Sequence, residues 1–292
     1  MKRKEFSWMV SLAALLLHQG FAMAADDTSR KDPVEDHRLS MPSAEQVNSI
    51  QALRMTGLEK FAAATFQSRS GPIPYRLYSP SDKFSAPLVI VLHGSGSIGS
   101  NNLGQMGIFA KSWGDPVIAN RFPAYVVIPQ LPSRSAEYEK NGEGDLHSVP
   151  GASFTSLLEL IEHLSAVLPI DNTRVYVVGF SMGASTAMNL LLARPDWFTA
   201  AVAFSPVPPA VDEALRTTGK PVLLIHGTAD LENPYAIDLR WFRAVAPAWK
   251  QIRMIAIDGM AHDLPQEMIL GIDWRSWLFS QRRESPMPQA QR

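Results

Sequence analysis

The sequence predicts an α/β protein with a mainly parallel central sheet flanked by helices and no large cap domain. Three observations carry that expectation. Short, nearly uninterrupted apolar runs such as PLVIVLHG, RVYVVGF and KPVLLIHG read as strands buried on both faces. Between them lie longer segments with apolar residues at helical spacing, SFTSLLELIEHLSAVL being the clearest. The two patterns alternate along the chain, as they must where helices cross over between parallel strands.

The first 24 residues form a segment of their own. Lys2, Arg3 and Lys4 precede an apolar run from Trp8 to Leu17, and Ala22 and Ala24 supply a small-x-small ending, the three-part layout of a secretory signal peptide cut after Ala24. The run is shorter than the ~20 apolar residues a membrane span needs. A periplasmic or secreted chain with no stable membrane anchor is expected. With no cysteine in its 292 residues, it is held by its core rather than by disulfides or thiolate-bound zinc. A formal charge of −1 gives no bulk attraction to nucleic acid, so no nucleic-acid partner is expected.

Residues 25–64 are read as a polar leader followed by a packing helix. Ala25 to Met41 is charged and proline-containing, with little to bury, and is expected to be mobile. Ser43 can cap a helix that presents Val47, Ile50, Leu53, Leu58 and Phe61. Residues 65–281 form the α/β domain. It opens with two extended segments joined at Ser70-Gly71-Pro72, an edge hairpin because prolines disfavour a central strand. PLVIVLHG, AYVVIPQ, RVYVVGF, FTAAVAFSP, KPVLLIHG and QIRMIAID follow as strands. Leu103 to Trp113, the segment around Leu157, Met182 to Arg194, Tyr235 to Val245 and Pro265 to Gln281 are the intervening helices. The polar stretch 131–153 reads as a long loop, and 282–292 as a disordered, proline-rich tail.

The chemistry concentrates at strand ends. In VYVVGFSMGAS, Ser181 lies between Gly179 and Gly183, with a strand before it and a helix after it. Such a turn crowds the backbone, so the flanking positions need glycine, and it pushes the hydroxyl outward. The Met182 amide then lies at a helix N-terminus, where it can donate to a developing oxyanion. A serine hydroxyl is a weak nucleophile and needs a base and an orienting acid. His262 in IDGMAHDLP and Asp230 in LLIHGTADLENP each follow a strand, giving the order Ser, Asp, His. Asp258, four residues before His262, is the rival acid. His226 is read as an organiser of the Asp230 loop, while His147 and His163 carry no assigned role. No histidine and carboxylate spacing supports a metal site.

Gly94 to Gly99 in VLHGSGSIGS formally satisfies G-x-G-x-x-G, which raises a dinucleotide site. That site wants an acid at the end of the next strand, and AYVVIPQ ends in Gln130. The same glycines let the backbone approach a reacting carbonyl, with the Ser95 amide as a second oxyanion donor. No cofactor is expected.

VLHGSGSIGSNN, GFSMGAS, HGTAD and GMAH together resemble the α/β-hydrolase superfamily. Within it, the chain is similar to the group that includes predicted peptidases, phospholipase/carboxylesterases and polyhydroxyalkanoate-depolymerase-like esterases, over roughly Phe66 to Phe279. The resemblance implies an α/β-hydrolase fold with Ser181 as nucleophile, His262 as base, Asp230 as acid and the Ser95 and Met182 amides as oxyanion hole. It implies hydrolysis of small-molecule or polymer-linked esters through an acyl-enzyme, with peptide or amide hydrolysis as the near rival. A binding protein without turnover is the rival from another class. Two positions depart from the pattern. Ala184 stands where many relatives have glycine, and Asn233 where valine is usual, which is expected to alter the wall near His262.

Overall fold

The computed structural model describes residues 34–40, 43–81, 85–216 and 219–284. The proposed signal segment and the tail beyond residue 284 lie outside the described residues. The strands are β1 (Val34–His37), β2 (Ala62–Ser68), β3 (Gly71–Tyr78), β4 (Ala86–Leu92), β5 (Tyr125–Pro129), β6 (Ala136–Lys140), β7 (Leu146–Pro150), β8 (Ile170–Phe180), β9 (Ala200–Phe204), β10 (Val222–Gly227) and β11 (Ile252–Ile257). The helices are α1 (Ala44–Met55), α2 (Ile108–Lys111), α3 (Pro116–Arg121), α4 (Phe154–Val167), α5 (Met182–Ala193), α6 (Val211–Arg216), α7 (Tyr235–Val245), α8 (Gln266–Ile269) and α9 (Asp273–Ser280).

Nine strands form one sheet in the order β1-β11-β10-β9-β8-β4-β5-β3-β2, parallel from β1 to β5, with β3 and β2 antiparallel. The central strands read as apolar runs because both faces are covered. Every residue of β4, β5, β9 and β10 is buried. The pleat sends Leu88, Ile90 and Leu92 of β4 into one core layer with α4, α5 and α7, and Val89 and Val91 into the other with α2, α3 and α9. Burying such a side chain is worth about 1.5–3 kcal/mol, so these strands dominate the stability of the sheet.

After β4 the chain moves to one side, to β5, while β8 pairs on the other side of β4. The topological switch point therefore lies between the carboxyl ends of β4 and β8, where α/β sheets hold ligands. Gly94 and Ser95 follow β4, and Ser181 follows β8.

Several expectations need correction. The leader read as mobile carries strand β1, which extends the sheet parallel to β11. His37 and Ser40 are clasped there by the Glu267 carboxylate, and the Ser40 amide donates to it at 2.7 Å. The hairpin Ala62 to Tyr78 exists, but only β2 is an edge strand, because β3 also pairs with β5 over Tyr75–Tyr78. Pro74 is tolerated because its carbonyl, and hence its missing N–H, faces the β5 side beyond the last paired residue; that carbonyl accepts from the Gln130 amide at 2.8 Å. The helix expected over Leu103 to Trp113 is reduced to α2 and a 3₁₀ turn at Ser112–Gly114. The last helix is broken into α8 and α9, where Gly271 packs against Met268. Arg282 and Arg283, assigned to the disordered tail, bond to Asp171 and to the Thr173 and Asn172 carbonyls.

The segment 131–153 is a docked hairpin rather than a loop. β6 and β7 pair antiparallel. Ser135 Oγ meets Thr186 Oγ1 at 2.8 Å, Ser148 Oγ donates to Asn189 Oδ1 at 3.2 Å, and the Ser148 amide donates to Pro208 O at 2.8 Å. These polar contacts fix the hairpin along α5.

Candidate active site

The turn at Ser181 is built by steric exclusion. A Cβ on Gly179 would lie 2.2 Å from the Gly183 carbonyl oxygen, and one on Gly183 would lie 2.4 Å from Leu92 O. Only hydrogen fits at either position, so β8 turns into α5 while pressed against the end of β4. Ser181 itself takes φ +54 and ψ −121, a backbone conformation that costs on the order of 1–3 kcal/mol. The Ser181 amide is anchored on Phe204 O of β9 at 2.9 Å.

His262 Nε2 lies 2.8 Å from Ser181 Oγ, and His262 Nδ1 lies 2.7 Å from Asp230 Oδ2. A carboxylate only accepts, so Nδ1 carries the proton and Nε2 offers its lone pair to the serine hydroxyl. The Phe180 ring packs on His262 with centroids 5.0 Å apart, and a Cβ on Gly94 would touch both that ring at 3.3 Å and Ser181 Cβ at 3.5 Å. The structure thus brings together Ser181, His262, Asp230 and the Gly94–Ser95 backbone, which the sequence places far apart.

The amides at positions 95 and 182 lie just ahead of their hydrogen-bond ladders. In α5 the first bonds run from Ala184 and Ser185 to Ser181 O, and in the 3₁₀ turn from Ser97 to Gly94 O and Ile98 to Ser95 O. Met182 N–H and Ser95 N–H are therefore first-turn donors of the kind that bind anions.

Asp230 is buried and accepts four N–H groups. Oδ1 takes the Glu232 and Asn233 amides at 3.0 Å each, and Oδ2 takes His262 Nδ1 and His226 Nε2, the latter at 3.1 Å. Burial works to raise its pKa, but hydrogen bonds from His226, His262 and Asn233 outweigh it, and the carboxyl ionises well below the usual carboxylate range. Asp258 is a different case, with a side chain 70% exposed and 4.0 Å from Arg38.

Four contributors were not recognised from sequence. Gly227 ends β10 with no room for a side chain, since a Cβ would lie 2.2 Å from Met260 O; this contact holds the Asp230 and His262 loops together. His93 is buried, with Nδ1 2.8 Å from Gly94 O and Nε2 accepting from Leu131 N at 3.0 Å. Burial lowers its pKa, which suits a neutral brace. Gln130, at the position where a dinucleotide site would want an acid, instead holds the glycine loop through Asn102 N and Ser97 O. Asp238 bonds His226 Nδ1 at 2.7 Å. One signal was available: the dipeptide His-Gly ends both VLHG and LLIHG, and in each the histidine turns inward to brace the loop that follows. Asn233, at the departure from the pattern, has a defined partner. Its side chain donates to Ser205 O at 2.7 Å, tying the Asp230 loop to the end of β9.

Residues 76–273, well over half of the chain, match the family model described as Phospholipase/Carboxylesterase. The chain belongs to this family. Among relatives, it is 26% identical over 215 residues to "Putative esterase NocK" from Nocardia uniformis subsp. tsuyamanensis, covering 70% of this chain and 60% of that protein. The solved structure of a thermostable esterase superposes with a TM-score of 0.68 at 24% identity, over 77% of this chain and 64% of that one. S-formylglutathione hydrolase (FrmB) from Staphylococcus aureus superposes with a TM-score of 0.56 at 14% identity, over 75% and 98%. The chain spans less than two thirds of NocK and of the thermostable esterase. The structural likenesses establish the α/β-hydrolase fold that the family shares.

Proposed function

We propose that this member of the family is an exported serine carboxylesterase that cleaves esters of short or polar acyl groups. The observation that carries the reading is the unbroken line from Ser181 Oγ through His262 to Asp230, with contacts of 2.8 and 2.7 Å, at the switch point of the sheet. His262 Nε2 takes the Ser181 proton as Oγ attacks the ester carbonyl, and the oxyanion is received by the Ser95 and Met182 amides. The intermediate collapses to an acyl-serine as His262 returns the proton to the leaving alcohol. Water, deprotonated by the same nitrogen, then releases the acid.

The test is a fluorophosphonate label read by peptide mapping, together with a panel of nitrophenyl esters and anilides. Ser181 is the expected labelled residue, and Ser181→Ala is expected to fold and to lose about 10⁶-fold in kcat. Equal labelling of the Ala variant would refute the reading, and faster turnover of anilides than of esters would make the protein an amidase. Export rests on the pattern of Met1 to Ala24, and N-terminal sequencing of the exported protein is expected to begin at Ala25.

A further inference from the structure

Asp230 Oδ2 receives two imidazoles, although only His262 faces the serine. The second, His226, is fully buried at the end of β10. Its Nε2 must carry a proton, because the two atoms it meets are acceptors: Asp230 Oδ2 at 3.1 Å and Asn233 O at 2.9 Å. Its Nδ1 meets a second buried carboxylate, Asp238 Oδ2 of α7, at 2.7 Å. The other Asp238 oxygen, Oδ1, has no hydrogen-bond partner among the described residues. The side-chain hydrogen bond of this buried acid is thus made to His226. Burial alone would lower the His226 pKa, but the hydrogen bonds to Asp230 and Asp238 push it up to about 9.

We propose that His226 and Asp238 are positioning residues for the catalytic set: Asp238 aims the His226 ring, and His226 Nε2–H fixes Asp230 Oδ2 in line with His262 while withdrawing charge from it. This rests on the proposed roles of Ser181, His262 and Asp230. The arrangement is a chain of five side chains, Asp238, His226, Asp230, His262 and Ser181. Burial raises the Asp238 pKa against the opposing hydrogen bond and charge of His226. On this proposal the shared proton sits on His226, as an imidazolium behind the acid. Its consequence concerns protons. His262 acts as base only while its Nε2 carries no proton, so the acid limb of the activity profile reports on what surrounds that ring. In a variant that lacks a positive charge on the far side of Asp230, the carboxylate is expected to hold a proton on the base more tightly. Among the described residues, the groups that also face this pair include Glu232, whose carboxylate is exposed and 4.0 Å from His262 Nε2, and the Tyr235 ring, 5.7 Å from His226. Both stay unchanged in the variants below.

Asp238→Asn separates charge from geometry. The introduced amide can donate to Nδ1, leaving His226 neutral with its Nε2–H still on Asp230. The expected result is an acid limb of kcat/KM moved to higher pH by about half a unit to one unit, since the neighbouring positive charge is gone. His226→Gln, which keeps a donor but no charge, is expected to move the limb in the same direction. Rates are referred to the fluorophosphonate-labelled fraction, so that misfolded protein does not count. In wild type, nitrogen-15 spectra of labelled histidine are expected to show both His226 nitrogens protonated at neutral pH. An unmoved acid limb in both variants would overturn the proposal, as would a neutral His226 in wild type, which needs no variant to fold. Failure of the underlying reading looks different: wild type would go unlabelled and hydrolyse no ester, whatever the state of His226.

Discussion

Asp258 and Asp230 both lie at strand ends near His262, and the residue scale separates them. Asp230 is buried with four donors on its oxygens, one of them His262 Nδ1, whereas Asp258 is exposed and looks toward Arg38. Asp230→Asn no longer forces the Nδ1 tautomer of His262, and kcat is expected to fall by about 10⁴-fold, as when a triad acid becomes an amide. Asp258→Asn is expected to stay within a few-fold of wild type by the same steady-state assay, because an exposed group 4.0 Å from its partner contributes little. A reversed order of losses would move the acid to the end of β11. The positions of Ser181, Asp230 and His262 were legible because each directly follows an apolar strand, so local pattern alone places them at one edge of the sheet. Asp238 was not legible. It is one of three charged residues on the amphipathic helix α7, with Arg240 and Arg243, and only folding turns it inward to His226.

At the scale of elements, legibility followed burial. Strands covered on both faces and helices with a full apolar stripe, such as α4, α5 and α7, announce themselves by period. Strand β1, with the sequence VEDH and two exposed residues, has no apolar period and is held by backbone pairing to β11 and by the Glu267 clasp. The β6–β7 hairpin is equally polar, and its order comes from contacts with α5 that local sequence does not encode. Gly227 belongs to the same class. Its need for hydrogen arises from Met260, 33 residues away on the next loop. Gly227→Ala forces that carbonyl to move and separates the loops bearing Asp230 and His262. Chemical denaturation is expected to show a loss of about 1–3 kcal/mol, with kcat falling as well. Gly142→Ala, at the hairpin tip with nothing within 4 Å of the added carbon, is the control and is expected to change neither by a measurable amount.

On the scale of the whole molecule, the order of strands decides what surrounds the site. Parallel strands β4, β8, β10 and β11 deliver Ser95, Ser181, Asp230 and His262 to one edge, and the space above them is bounded by connections from the same edge. Between β9 and β10, where a cap could enter, the described residues hold only the six-residue helix α6. The β6–β7 hairpin approaches through Tyr138, whose hydroxyl is 3.4 Å from Ser185 Oγ, but it is fastened by serine and threonine contacts and by the Arg240–Asp145 pair at its tip. An element tied down by polar bonds, with Glu137, Glu139 and Lys140 exposed on its strand, is poorly suited to swing open on a lipid surface, since opening would break those hydrogen bonds. Among the described residues no helix is long and apolar enough to cross a membrane. If the acyl site is as open as proposed, a long acyl chain leaves most of its methylenes in water, forgoing about 0.8 kcal/mol for each CH₂ it fails to bury. The expected outcome is a higher kcat/KM for acetyl and butyryl nitrophenyl esters than for the palmitoyl ester, with a smooth rate curve as substrate concentration passes the point of micelle formation. Initial-rate measurements across that point decide the matter, since preference for palmitoyl together with a rate jump at micelle formation would require a mobile apolar lid, which neither α6 nor the β6–β7 hairpin supplies among the described residues.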